Sequence, residues 1–317
     1  LTRRNPNPYD GEAYYNLGLT LRFKADAAAL RDKSASNKLL EDAYAAFYKS
    51  TWNQAWQAAA YHAIAEIDCR RHDWTTALDH LTRALRVNTD NLKARDLMVI
   101  VLKQLGRDAE ADKLLDETQA LDPLDWWARL LAGGKISSDS HTIMDIVHDL
   151  ARSGFYADAL DLLQEAKPEP TSGLAPTIRY TRAWLLQMTG DSPAAANELA
   201  AATEEPKDYC FPARVEDVII LEWAIENNPE DSGALYFLGN LFYDRKRHYD
   251  AIELWEKSAE LDPGNSIVWR NLGIAYWNVL EDSEKSYQAY NRAWELAPND
   301  ARLLFERDLF WKRMSIP

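Results

Sequence analysis

Residues Asn228–Pro263 read NPEDSGALYFLGNLFYDRKRHYDAIELWEKSAELDP, and residues Asn265–Pro298 read NSIVWRNLGIAYWNVLEDSEKSYQAYNRAWELAP. Laid over one another, they align Leu235, Leu238, Gly239 and Phe242 with Trp269, Leu272, Gly273 and Tyr276. The spacing i, i+3, i+4, i+7 puts each quartet on one face of a helix. A second helix follows in each copy, with Ala251 and Ser286 as its small residues. Gly239 and Gly273 mark the point where the first helix of a pair must approach the second, and a large side chain there would hold the backbones apart. Pro229, Pro263 and Pro298 close the pairs, because proline lacks an N–H and disfavours helix in the residue before it.

The same period extends toward the amino terminus. Ala43, Ala77 and Ala111 lie 34 residues apart, and each is followed four residues later by a larger apolar residue, Phe47, Leu81 and Leu115. Looser copies open at Tyr14, Leu17, Gly18 and Leu21, at Tyr61, Ile64 and Ala65, and at Met98, Val99 and Leu102, the last ending at Pro123. A recurring order of Trp or Leu, Leu, Gly, Tyr, Ala, Phe or Trp, Ala and Pro at this period resembles the tetratricopeptide repeat (TPR) family over most of the chain. The resemblance implies an all-α fold, a right-handed α-α superhelical solenoid of TPR-like helix pairs. The middle departs from the period: Ala159 comes 48 residues after Ala111 and Ala195 comes 36 after that. GGKISSDSH, KPEPTSGLAP and TEEPKDYCFP intervene there as joints rich in Gly, Pro and Ser. The organisation expected is TPR-like repeats over 1–132, irregular helical repeats over 133–213, and TPR repeats with a capping helix over 214–317.

Composition agrees with helix and narrows function. Of 317 residues only 12 are Gly and 13 Pro, 47% are hydrophobic and 27% charged, a balance that supports a folded helical chain. A formal net charge of -14 argues against nucleic acid and anionic membranes as partners, since both are gripped by concentrated Lys and Arg. No apolar run approaches the about 18 residues that span a bilayer, and the first residues lack an apolar signal core, so the expected location is the cytoplasm. Cys69 and Cys210 are far apart and form neither a disulfide framework nor a paired zinc motif.

Function is expected on the inner face of the solenoid, which first helices line. In that register Tyr15, Arg22, His62, Glu66, Arg70, Tyr180, Trp184, Tyr236, Asn240, Tyr243, Arg270 and Trp277 face the groove. Aromatic rings give rigid contact area and charges fix orientation, as a protein-binding surface needs. Trp184 and Trp277 would equally stack on sugar rings, and packing between neighbouring repeats is the alternative for any single ring. TPR domains that grip chaperone tails use a Lys and Asn clamp; Asn240, Arg270, Asn271 and Asn278 stand near such positions, but Tyr236 replaces the first Lys. His141, Asp145 and His148, at i, i+4, i+7, have the spacing of a metal site but no accompanying HExxH, and solvated histidines are the expectation, with no metal and no cofactor. No GxSxG, phosphate-binding glycine loop or Cys-His signature is present, so no catalytic residues are assigned and the chain is not expected to be an enzyme.

A narrower resemblance rests on RNPNPYDGEAYYNLGL, FYKSTWNQAWQAAAYHAIAEIDC and LEWAIENNPEDSGALYFLGNLFYD. These are similar to the carboxy-terminal repeats of large bacterial proteins that carry the uncharacterised domain DUF5107. In that family the repeats follow a β-rich region suspected of acting on carbohydrate. Two functions follow as expectations: a scaffold that binds a protein segment or an upstream domain of its parent polypeptide through its concave face, or an accessory part of a carbohydrate-active enzyme that supplies aromatic sugar subsites.

Overall fold

A computed structural model describes residues 10–135, 140–168 and 172–313. Among these the chain is helical, without strands: α1 (Gly11–Ala28), α2 (Lys33–Ser50), α3 (Gln54–Arg70), α4 (Trp74–Val87), α5 (Leu92–Gln104), α6 (Asp108–Leu121), α7 (Trp126–Leu131), α8 (Ser140–Arg152), α9 (Tyr156–Leu163), α10 (Ala175–Thr189), α11 (Ser192–Thr203), α12 (Val215–Asn227), α13 (Ser232–Asp244), α14 (His248–Leu261), α15 (Ser266–Asn278), α16 (Ser283–Leu296) and α17 (Ala301–Arg313). Consecutive helices pack as pairs, α1 with α2, α3 with α4, α5 with α6, α8 with α9, α13 with α14 and α15 with α16. This is a TPR-like all-α fold. The chain divides into two compact units, one of residues 1–168 and 185–192, the other of 169–184 and 193–317, so the break falls inside the segment read as irregular.

Asp or Asn precedes most first turns and accepts their free N–H groups: Asp32 from Ser34 and Ala35, Asp231 from Gly233 and Ala234, Asn265 from Ile267 and Val268. These side-chain oxygens satisfy donors that have no partner inside the helix. The prolines at 229, 263 and 298 lie just beyond the ends of α12, α14 and α16.

Within pairs, the small residues are where the period puts them: Ala43, Ala77, Ala111 and Ala251 are fully buried. The glycines have a different neighbour from the one expected. A Cβ on Gly239 would lie 2.5 Å from Trp255 Cδ1, one on Gly273 2.8 Å from Tyr290 Cδ2, and one on Gly18 2.5 Å from Phe47 Cδ1. An aromatic ring of the second helix, not Ala251 or Ser286, fills the space over each glycine. Serines then bolt the backbones together: Ser286 Oγ donates to the Gly273 carbonyl at 2.7 Å, Ser258 to Ser232 and Ser50 to Gly11, both at 2.8 Å.

In the first unit, α7 packs against α5 and α6 outside the pair pattern. Asp125 caps it, accepting from Trp127 N and Ala128 N at 3.0 and 3.4 Å. The Asp125 carboxyl also pairs with Asp96, which is 1% exposed. Burial above all, and then the charge of Asp125, push the Asp96 carboxyl up to about 9. Asp96 is therefore a neutral acid near pH 7, and one proton holds the two carboxyls together.

Two outcomes are expected. Gly239→Ala should lower the stability of α13–α14 by about 1–3 kcal/mol through overpacking, with the loss recovered in part when Trp255→Leu is added. Thermal unfolding of the single and double variants checks it, and a midpoint unchanged in Gly239→Ala would remove the ring contact as the cause. Because folding raises the Asp96 pKa, the native state keeps a proton that the unfolded chain has lost. That stabilisation is complete below the ordinary carboxylate value of about 3.9 and falls by at most about 1.4 kcal/mol per pH unit as pH rises toward 9. Asp96→Asn, whose amide still donates to Asp125, should unfold in denaturant with a flatter dependence between pH 5 and 8 than the parent; parallel profiles would contradict the shared proton.

Candidate functional site

The residues expected on the inner face separate into two sets, one in each unit. In the first unit the side chains are spent on one another. Tyr15 lies between Phe47 and Trp56, with ring centroids 5.5 and 5.1 Å away. Arg22 is ion-paired with Glu66, and both are buried. Burial alone would raise the Glu66 pKa, but the Arg22 guanidinium, ahead of weaker neighbours, holds it below the usual range. His62 is shifted the other way, its pKa lowered chiefly by burial, so its ring is neutral. Arg70 pairs with Asp26 and donates through Nε to the Arg152 carbonyl at the end of α8. Lys93 of α5 reaches Asp149 of α8 at 2.8 Å. Gly154, at φ +84, passes so close that a Cβ would meet Arg70 Cγ at 3.0 Å. The chain's own α8–α9 turn thus covers Arg70.

In the second unit Tyr236, Asn240, Tyr243 and Arg270 do come together, lining a cavity of about 800 Å³. On α13, Tyr236, Asn240, Tyr243 and Asp244 form one face at i, i+4, i+7, i+8; on α15, Ile267, Arg270, Asn271 and Ile274 form another at i, i+3, i+4, i+7. Trp255 of α14 closes the space between them, its ring 5.2 Å from that of Tyr243. The Asn240 side-chain oxygen accepts from Trp255 Nε1 at 3.2 Å and from Asn271 Nδ2 at 3.1 Å. Arg270 donates to Asn271 Oδ1 at 3.3 Å and, through Nε and Nη2, to both oxygens of Glu306 at 2.6 Å. Arg302 shares the same carboxylate at 3.0 Å. Burial would raise the Glu306 pKa, yet the bonds from Arg270 and Arg302 hold it below the usual range. The Tyr236 and Tyr243 phenols are raised, by burial first, and stay protonated at neutral pH.

The other expected residues sit elsewhere. Tyr180 is 1% exposed, with its hydroxyl donating to Asp231 Oδ2 at 2.7 Å, so it is a core residue that positions the α13 cap. Trp184 is 8% exposed, and Trp277 packs edge-on against Phe310 of α17 at 5.2 Å, within an apolar cluster of α15–α17. Both rings were expected in the groove; helix packing buries Trp184 and takes up part of the Trp277 ring. His141 and Asp145 are exposed whereas His148 is buried, which parts the trio set out as a metal spacing. Among the described residues no group of three or more His, Cys, Asp or Glu is arranged to hold a metal ion. None of the described helices is long and apolar enough to cross a membrane.

Six contributors to the cavity lay outside the first-helix register: Asp208, Tyr209 and Phe211 from the stretch between α11 and α12, Asp300 and Arg302 at the start of α17, and Trp255 of α14. The one signal for the first three was the sequence YCFP itself, two aromatics around a cysteine in what otherwise reads as a joint.

No protein-family profile matches the chain. Among solved structures it is similar to YrrB, described as a TPR protein with an unusual peptide-binding site, at 16% identity and a TM-score of 0.30 over 72% of this chain and 97% of that one. It is also similar to PilF of Pseudomonas aeruginosa, at 15% identity and a TM-score of 0.28 over 82% and 99% of the two chains. MamA of Desulfovibrio magneticus RS-1 matches at 16% identity and a TM-score of 0.26 over 77% and 97%. The TPR-like assignment rests on the helix pairs of this chain.

Glu306→Gln should lower the stability of the α15–α17 region by about 1–2 kcal/mol, because two guanidinium groups lose a shared partner that is mostly buried. Arg302→Ala, whose side chain is exposed, should stay within about 0.5 kcal/mol of the parent in the same thermal melt.

Proposed function

We propose that the chain is a protein-interaction scaffold and that its cavity between α13, α15 and the start of α17 receives an extended segment of polypeptide. The observation that supports this best is the convergence of Tyr236, Asn240, Tyr243 and Arg270 with the exposed rings of Tyr209 and Phe211 around about 800 Å³. Aromatic anchors beside fixed amides suit a peptide: the rings take apolar side chains, and the amides take main-chain groups. The first-helix residues of the other unit, already paired, play no part in this reading.

In its finer form the proposal gives the segment to an upstream domain of the same polypeptide, as the similarity to DUF5107 proteins implies. Sugar binding as part of a carbohydrate-active enzyme is the competing reading. Of its two tryptophans, Trp184 is buried and Trp277 is half-buried against Phe310, which favours the peptide.

Selection of displayed random peptides on the full chain tests both. Selected peptides should compete with one another and lose about tenfold in affinity, about 1.4 kcal/mol, in Phe211→Ala and in Tyr243→Ala. The Phe211→Ala midpoint of unfolding should match the parent's. Peptide binding indifferent to both substitutions would place the site elsewhere, and oligosaccharide binding lost in both would make the sugar reading the correct one.

A further inference from the structure

The stretch between α11 and α12 is anchored at three points. Lys207 Nζ donates to Ser232 Oγ and to Asp262 Oδ2, each at 2.8 Å. Cys210 is 1% exposed, with Sγ 3.5 Å from Thr177 Oγ1. Arg245 Nη2 donates to the Ala213 carbonyl at 2.7 Å. Yet between these anchors Tyr209 and Phe211 stand 69% and 73% exposed at the cavity rim. Tyr209 adopts φ +58, in the left-handed region that costs a residue with a bulky side chain. Gly173 makes room for it, since a Cβ there would lie 2.0 Å from the Tyr209 carbonyl oxygen. A strained aromatic residue that is held firmly and left in solvent adds little to the fold, and such an outlier points to a function.

Charge says what the rim faces. The cavity has two cations, Arg270 and Arg302, and both are already bound to Glu306. Its carboxylates are Asp208, Asp244 and Asp300. Asp208 and Asp300 form no ion pair among the described residues, and Asp244 has only its exposed neighbour Arg245 at 3.5 Å. The space between the rings is therefore negative.

Building on the segment-binding reading of the same cavity, we infer that the segment presents a Lys or Arg side chain next to an apolar residue. The apolar side chain packs on Phe211 and Tyr243. The cation lies over the Tyr209 ring and is neutralised by Asp208 and Asp244, combining cation–π attraction with charge-assisted hydrogen bonds.

The test uses fluorescence anisotropy on the full chain with two labelled nonapeptides of one Gly-Ser frame, centred on Phe-Arg-Lys or on Phe-Glu-Asp. The basic peptide should bind at least about tenfold more tightly. That preference should shrink with added salt and by about tenfold in the double variant Asp208→Asn, Asp244→Asn. Asp300 is left in place because it caps α17. Tyr209→Gly relieves the strained backbone, so it should weaken the basic peptide while the thermal midpoint holds or rises, a divergence that a merely structural residue would not show. Equal affinities, a preference for the acidic peptide, or indifference to the aspartate variant would each overturn the inference. If the acidic peptide binds and Phe211→Ala abolishes it, the segment-binding reading survives without the cation; if neither peptide binds, the inference fails, and the displayed-peptide selection judges the broader reading.

Discussion

The contact between a glycine on the first helix of a pair and an aromatic ring on the second is the constraint on which the described pairs at both ends depend. Gly18 lies under Phe47, Gly239 under Trp255 and Gly273 under Tyr290. With no Cβ in the way, the ring comes up against the backbone, and the helices approach closely enough for serine hydroxyls to reach carbonyls across the pair. Close packing of this kind is sensitive to single methyl groups, because the surrounding atoms have little room to retreat. In α13 and α14 the same contact also serves the cavity: the Trp255 ring that covers Gly239 turns its Nε1–H to Asn240 and its face toward Tyr243.

The two units treat equivalent first-helix residues in opposite ways. In the first unit, Arg22 pairs with Glu66, and Arg70 pairs with Asp26 and donates to the end of α8, so these charges are desolvated but ion-paired. Breaking such pairs leaves a buried charge, which makes them costly to disturb and poor candidates for exchange with an outside partner. In the second unit, the polar chain from Trp255 through Asn240, Asn271 and Arg270 to Glu306 stiffens the cavity wall while leaving the aromatic rim and the aspartates available.

Periodicity made the fold legible. Ala43, Ala77 and Ala111 are buried, the helices end before Pro229, Pro263 and Pro298, and the pairs follow the expected order. The same period placed Tyr236, Asn240, Tyr243 and Arg270 on faces that do converge. It failed where long-range packing decides orientation. A register counted along one helix cannot show that Tyr180 reaches across to Asp231, that α17 covers Trp277, or that α8 covers Arg70. Nor does it speak for non-helical backbone, and so Tyr209 and Phe211 went unassigned: their exposure follows from three anchors distant in sequence and from a glycine at 173 that a local reading treats as an ordinary joint.

The sharing of Glu306 by Arg270 and Arg302 carries one further consequence. It makes α17 both a wall of the cavity and a helix whose attachment runs through Arg270 of α15 and a few apolar side chains of α15 and α16. Local opening of such a terminal helix is an equilibrium in its own right, separate from global unfolding. Each moment α17 spends frayed is a moment without Asp300 and Arg302 at the rim, so, for the segment proposed to bind there, the competent fraction multiplies its affinity. By the same linkage an occupant slows amide exchange along α17, and helix-end breathing and ligand capture become two readings of one free energy.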